Sequence, residues 1–184
     1  ALENVYNPHR TESFLFQPGD SVRFLPSAGE TPQAVETLEL LPEPQFPVFC
    51  VEEPGLLDLL VDEGRFFAAR FGLARSGALD ARSAYVANAA VGNRNNEALL
   101  ELTLKGPVLT VLRDTVIGFA GFGMTCRMND DDVPTATGVA LRKGQQLSFR
   151  STSKGSRAYL AVAGGFEVQT FRGSVSPDLQ GRIG

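Results

Sequence analysis

Apolar residues in the second half of the chain fall in short runs separated by turn-forming residues: "ALLELTL" (98–104), "PVLTVL" (107–112), "TVIGFAGFG" (115–123), "QQLSFRS" (145–151) and "RAYLAVAG" (157–164). Runs of this length bounded by Gly, Pro, Asn and Asp predict β-strands, and their spacing predicts an all-β barrel or sandwich. Between them "RMNDDDVP" (127–134) reads as a solvated hairpin turn, because a calcium loop needs ligands at alternating positions and a closing Glu. The best helix lies upstream in "SGALDARSAYVANAAVGN" (76–93). There Asp80 supplies an N-cap, Gly92 a stop, and Ala84, Tyr85, Ala87 and Asn88 recur at helical spacing. In "VFCVEEPGLLDLLVDEGR" (48–65) the pattern predicts a strand, a turn at Pro54-Gly55 and a short helical stretch ending near Gly64. At the N-terminal end, Phe14, Phe16, Val22 and Phe24 flank the turn Pro18-Gly19-Asp20, a hairpin pattern. Residues 29–47 are rich in Pro and Glu; Pro42, Pro44 and Pro47 end any helix over Gln33 to Leu41, and the stretch predicts a linker.

Composition narrows the picture. At 184 residues and 43% hydrophobic, the chain can build one core, or one domain plus part of another. A net charge of -4 with dispersed Lys and Arg leaves no basic stripe, which argues against nucleic acid or an anionic membrane as partner. No apolar run reaches the roughly 20 residues of a membrane span, so a soluble, cytoplasmic protein is expected. Cys50 and Cys126 each sit beside apolar residues and read as buried free thiols. The single histidine, His9, cannot build a His-based triad or a multi-histidine metal site, and no metal site is expected.

Candidate chemistry gathers in residues 62–101. Asp62, Glu63, Arg65, Arg70, Arg75, Asp80 and Arg82, with Asn88 and Asn93 beyond, place arginines, carboxylates and amides around a helix N-terminus. Such a set can hold an anionic substrate by bidentate contacts. A surface ion-pair group with a capping Asp has the same sequence pattern. Glu101, inside a strand-like run, either pairs with an arginine, has a pKa raised for proton transfer, or lies on the outward strand face. The glycines of "AYLAVAGGFEVQTFRGS" (158–174) match neither the dinucleotide fingerprint nor the P-loop, and Gly164-Gly165 are read as turning the chain.

Three segments in order, "GLARSGALDARSAYVANAAVGN", "ALLELTLKGPVL" and "GSRAYLAVAGGFEVQTFRGSVS", resemble the signatures of the biotin-dependent carboxyltransferase family. That family includes allophanate hydrolase subunit 2, the C-type subunit of 5-oxoprolinase and the Kip-type anti-inhibitor of a sporulation kinase. The resemblance covers Val48 to Gly184, and family members run on past that point. "NPHRTESFLFQPGDSVRF" is similar to the tail of the partner family, allophanate hydrolase subunit 1 or the B-type subunit of 5-oxoprolinase. The implied organisation is a fusion: residues 1–28 as terminal strands of a B-type domain, 29–47 as linker, and 48–184 as the N-terminal part of a C-type carboxyltransferase domain.

The implied fold is mainly β, a cyclophilin-like β barrel with one or two short helices, incomplete at its C-terminal end. The implied function is a component of an ATP-dependent 5-oxoprolinase working with a separate A-type subunit; urea carboxylase-type carboxyl transfer and a non-catalytic kinase-regulator module are the alternatives. ATP with Mg is the implied cofactor ahead of a biotin carrier. Carried over by motif, Arg65, Asp80 and Glu101 are the candidate catalytic residues. Gly64, Gly77, Asn88, Gly92, Asn93, Gly164, Gly165, Gly173 and Ser174 are the candidates for binding substrate or nucleotide. Val61 stands where the family pattern has a Gln before the Asp of its "D-x-G-R" signature.

Overall fold

The computed structural model describes residues 5–7, 10–26, 44–152, 154–181 and 183. His9, the helix weighed over Gln33 to Leu41 and most of the expected linker lie outside the described residues. In chain order the elements are β1 (Phe49–Glu53), β2 (Leu57–Val61), a 3₁₀ turn (Ala68–Phe71), α1 (Ala81–Ala90), β3 (Leu99–Thr103), β4 (Lys105–Val111), β5 (Thr115–Phe122), β6 (Met124–Met128), β7 (Asp131–Asp132), β8 (Gly138–Leu141), β9 (Gln146–Ser151) and β10 (Arg157–Val162).

The strands form two antiparallel five-stranded sheets, in the orders β1-β4-β9-β6-β7 and β2-β3-β10-β5-β8. This is the expected mainly-β architecture with one α-helix, and it matches a barrel that is not closed. Strands of the first sheet alternate as half-buried strands should: Met124 and Cys126 point inward while Thr125 and Arg127 point out, and Leu147 and Phe149 repeat the pattern. The runs that do not alternate, in β5 and β10, are central strands covered on both faces. Ala158, Leu160 and Val162 enter the core shared with the first sheet, whereas Tyr159 and Ala161 face α1.

Helix α1 lies close to the second sheet because glycine allows it: a Cβ on Gly118 of β5 would stand 2.2 Å from the Ala87 carbonyl oxygen. The hairpin expected at "RMNDDDVP" is present as β6 paired with β7.

Three expectations need correction. Residues 57–61 form strand β2, paired along its length with β3, where a short helix was expected. The run "LLDLLV" is short enough to satisfy either period, and pairing with the apolar β3 decides for the strand. Pro18-Gly19 turns the chain, but residues 15–26 form no strand; instead Tyr6 and Phe14 make an isolated antiparallel bridge. Cys126 is buried as expected, with its thiol pushed up to about 12 by desolvation, but Cys50 is exposed on edge strand β1.

Candidate functional site

Strand β2 ends at Val61, whose side chain packs against α1 in the core, and the next residues turn sharply through Asp62-Glu63-Gly64-Arg65. Asp62 is the hub of this turn. Its Oδ1 accepts from the Gly64 amide at 2.8 Å, the Ser174 hydroxyl at 2.5 Å and the Ser176 hydroxyl at 2.7 Å, and its Oδ2 accepts from the Val175 amide at 2.9 Å. A buried carboxylate with four donors is fully compensated, which lets the 174–176 strap close over it.

Arg65 is 1% exposed and Asp62 is buried with it, so these two leave the surface ion-pair pattern, while Glu63, Arg70, Arg75 and Arg82 are exposed. The Arg65 guanidinium donates to the Ser176 carbonyl, and to Ser76 Oγ at 3.2 Å. Burial lowers its pKa, with the nearby Asp178 and Asp62 charges acting in the opposite direction. Gly64 and Gly77 lie back to back. Both have left-handed backbone, and a Cβ on Gly64 would stand 2.6 Å from the Ser76 carbonyl oxygen, a Cβ on Gly77 2.9 Å from the Gly64 nitrogen. These glycines let the 62–65 and 74–78 segments cross.

Asp80 caps α1, accepting from the Ser83 amide at 3.1 Å and the Ser83 hydroxyl at 2.5 Å. Those hydrogen bonds hold its carboxyl below the usual carboxylate range. Glu101 faces the helix side of the sheet, not solvent, and is 3% exposed. It pairs with Arg157 and accepts from the Tyr159 hydroxyl at 2.8 Å and the Leu79 amide at 2.9 Å, while Tyr159 accepts from the Asp80 amide at 2.7 Å. Desolvation, joined by the Glu101 carboxylate, pushes the Tyr159 hydroxyl well above its ordinary range, against the opposing pull of the Asp80 amide and Arg157. Arg157, Glu101 and Tyr159 thus fasten the N-terminal end of α1 to β3 and β10.

Asn88 and Asn93 form a second fastening. Asn93 Nδ2 donates to Asn88 Oδ1 at 2.9 Å and to the Val162 carbonyl at 2.8 Å, and Asn88 donates to the Glu97 carbonyl at 2.9 Å. The Gly164 amide donates to Asn93 Oδ1 and the Gly165 amide to the Val162 carbonyl, so this pair turns the chain as expected. Gly92 follows α1 as its stop, and Gly173 turns the chain between the bridged Phe171 and Ser174.

Beside these fastenings lies a cavity of about 250 Å³, bounded by the 62–63 and 75–78 segments, the first half of α1 and residues 95–99. Polar groups come from Glu63, Arg75, Ser76, Tyr85, Asn95 and Glu97, over an apolar floor of Ala81, Ala84 and Leu99. Backbone groups of Glu63 tie the rim together: its amide donates to Asn96 Oδ1 at 3.1 Å and its carbonyl accepts from Arg75 at 3.2 Å. The Arg75 guanidinium also lies 4.3 Å from the centre of the Phe66 ring. None of the motif-derived candidates except the neighbourhood of Gly64 and Gly77 reaches this cavity, and Ser174 is separated from it by Asp62. Sequence reasoning passed over Tyr159, Ser176, Asp178 and Glu97. The one legible signal was the lone Tyr among the apolar residues of β10.

No helix among the described residues is long and apolar enough to cross a membrane, and no group of three or more potential metal ligands occurs among them. The solved structure of TTHA0988 superposes with a TM-score of 0.89 at 54% identity, over 98% of this chain and 37% of that one. Kluyveromyces lactis urea carboxylase superposes with a TM-score of 0.67 at 35% identity, over 70% of this chain and 12% of that one. Among curated proteins, the C-type subunit of 5-oxoprolinase from Escherichia coli is 35% identical over 130 residues, which is 71% of this chain and 42% of that protein. Urea amidolyase of Lachancea kluyveri is 35% identical over 74% of this chain and 8% of that protein. The chain therefore spans less than half the length of these relatives. Residues 71–184, from the 3₁₀ turn through the last strap, match the model for the carboxyltransferase domain, subdomain A and B, and the chain belongs to that family.

Proposed function

We propose that this polypeptide is part of the fused B-type and C-type component of a cytoplasmic, ATP-dependent 5-oxoprolinase that works with a separate A-type subunit. The observation that carries the reading is the likeness to the C-type subunit of 5-oxoprolinase, of which this chain's counterpart makes up about two fifths. The fusion is supported by the match to TTHA0988, which takes in 98% of this chain and so reaches into its N-terminal segment. The overall reaction balances as 5-oxoproline, ATP and two waters giving glutamate, ADP and phosphate, with the lactam C–N bond broken.

The described residues suit the lactam better than the nucleotide. The amides of Gly164 and Gly165 already serve Asn93 and Val162, and the cavity carries the carboxylates of Glu63 and Glu97. A triphosphate needs converging N–H groups and positive charge, and no step through ATP is assigned to these residues. In this reading Arg65, Asp80 and Glu101 are positioning residues: Arg65 and Asp62 shape the turn at the cavity, and Asp80 and Glu101 hold the helix that forms its wall.

The test is direct. Full-length protein mixed with the A-type subunit, ATP and 5-oxoproline should release glutamate and ADP in equal amounts, and release of neither would overturn the assignment. The likeness to urea carboxylase supports a second reading, carboxyl transfer to urea. Under it the same protein would move the carboxyl group of a carboxybiotin carrier onto urea, releasing free biotinyl carrier and allophanate, and leave 5-oxoproline untouched.

A further inference from the structure

We propose that the cavity between α1 and the Asp62–Arg65 turn is a subsite for a small cyclic amide that bears a carboxylate, with Glu97 accepting from the ring N–H and Arg75 holding the carboxylate. This rests on the 5-oxoprolinase reading and deepens it by assigning the ligand's polar groups to residues of this chain.

Size comes first. At about 250 Å³ the cavity falls just below the roughly 300–1,000 Å³ of sites for drug-sized ligands, which suits a single small ring and not a nucleotide. Charge comes second. Asp62 is saturated by its four donors, so it contributes shape more than binding capacity. Glu97 differs: it is half-buried against Gly165, where a Cβ would come within 3.1 Å of its Oε2, and among the described residues nothing donates to its carboxylate. Its carboxylate lines the cavity with both oxygens open to accept, so a ligand that brings an N–H finds its acceptor there.

Arg75 supplies the opposite preference. Its guanidinium is held between the Glu63 carbonyl and the Phe66 ring, an arrangement that orients its fork without neutralising its charge. The apolar floor of Ala81, Ala84 and Leu99 accepts the ring methylenes. An N–H donor, a carboxylate and a small apolar ring are together the chemistry of 5-oxoproline.

The experiment uses full-length protein without ATP and measures binding by calorimetry. Three probes are compared: 5-oxoproline, its neutral carboxamide, and the ring ketone acid in which CH₂ replaces the N–H. Arg75→Ala should weaken 5-oxoproline at least about tenfold and leave the carboxamide nearly unchanged. Glu97→Ala removes the acceptor and should weaken 5-oxoproline by a similar factor, leaving the ketone acid nearly unchanged. Circular dichroism and melting curves check that both variants fold, and the probe comparison on unmutated protein stands even if one does not. Equal affinity of unmutated protein for all three probes, no binding of 5-oxoproline, or unchanged 5-oxoproline affinity in both folded variants would overturn the subsite. If 5-oxoproline binds as described but the A-type subunit and ATP yield no glutamate, the subsite stands and the 5-oxoprolinase reading falls. If turnover occurs and neither variant raises KM, the reverse holds.

Discussion

Asp80 shows how far one side chain can be read. Its two hydrogen bonds from Ser83 lower its pKa in the folded chain, so the stability it contributes is present above the ordinary carboxylate range near pH ~4 and is lost as pH falls through the lower folded value. Asp80→Asn retains an N-cap, so stability near neutrality should change little while the acid limb of a denaturation-against-pH curve becomes shallower. An unchanged acid limb would count against this. Glycines separate as sharply. Gly64→Ala meets a backbone oxygen in a left-handed conformation, whereas Gly92, also left-handed, has open space around it. Urea denaturation should show a loss of about 2–4 kcal/mol for Gly64→Ala and about 1 kcal/mol for Gly92→Ala.

At the scale of elements, α1 is the piece whose seat matters most to the cavity. Its Ala84 and Ala87 side packs on the second sheet, Gly118 permits the approach, and Glu101 fastens the N-terminal end through Leu79 and Tyr159. Glu101→Ala leaves Arg157, the Tyr159 hydroxyl and the Leu79 amide without their acceptor. The expected cost is about 3 kcal/mol, with hydrogen exchange faster in α1 than in β4, β6 and β9, which belong to the other sheet. Uniformly faster exchange would mean that Glu101 supports the whole fold and not the helix seat. The helix and its cap were legible in the sequence because they depend on neighbours within four residues. The face of Glu101 was not, since it depends on β10 lying beside β3, 56 residues along the chain.

At the scale of the molecule, the N-terminal segment is docked against the 3₁₀ turn and the residues that follow β10. Tyr6 and Phe14 pair and lie over Gly72, and Tyr6 packs with Ala68, Leu73, Phe171 and Ile183. Arg172 lies 4.2 Å from the centre of the Phe71 ring and donates to the Arg10 carbonyl at 2.5 Å. Arg172→Ala should raise the rate of tryptic cleavage after Arg10 by about tenfold, the effect of a lost charged hydrogen bond on local opening. The main melting transition should move by only a few degrees; unchanged cleavage would show that the aromatic contacts alone hold the segment. What the sequence by itself determined was the strands β1, β3, β4, β5, β9 and β10, the helix and its cap, and the family signatures, all carried by local period, turn residues and motif order. Only the tertiary structure decided that β2 is a strand, that Arg65 and Ser174 are interior, and that Glu97 and Arg75 share a cavity. Those facts rest on pairings between residues far apart in the chain, and no local pattern encodes which distant partner will satisfy a buried charge.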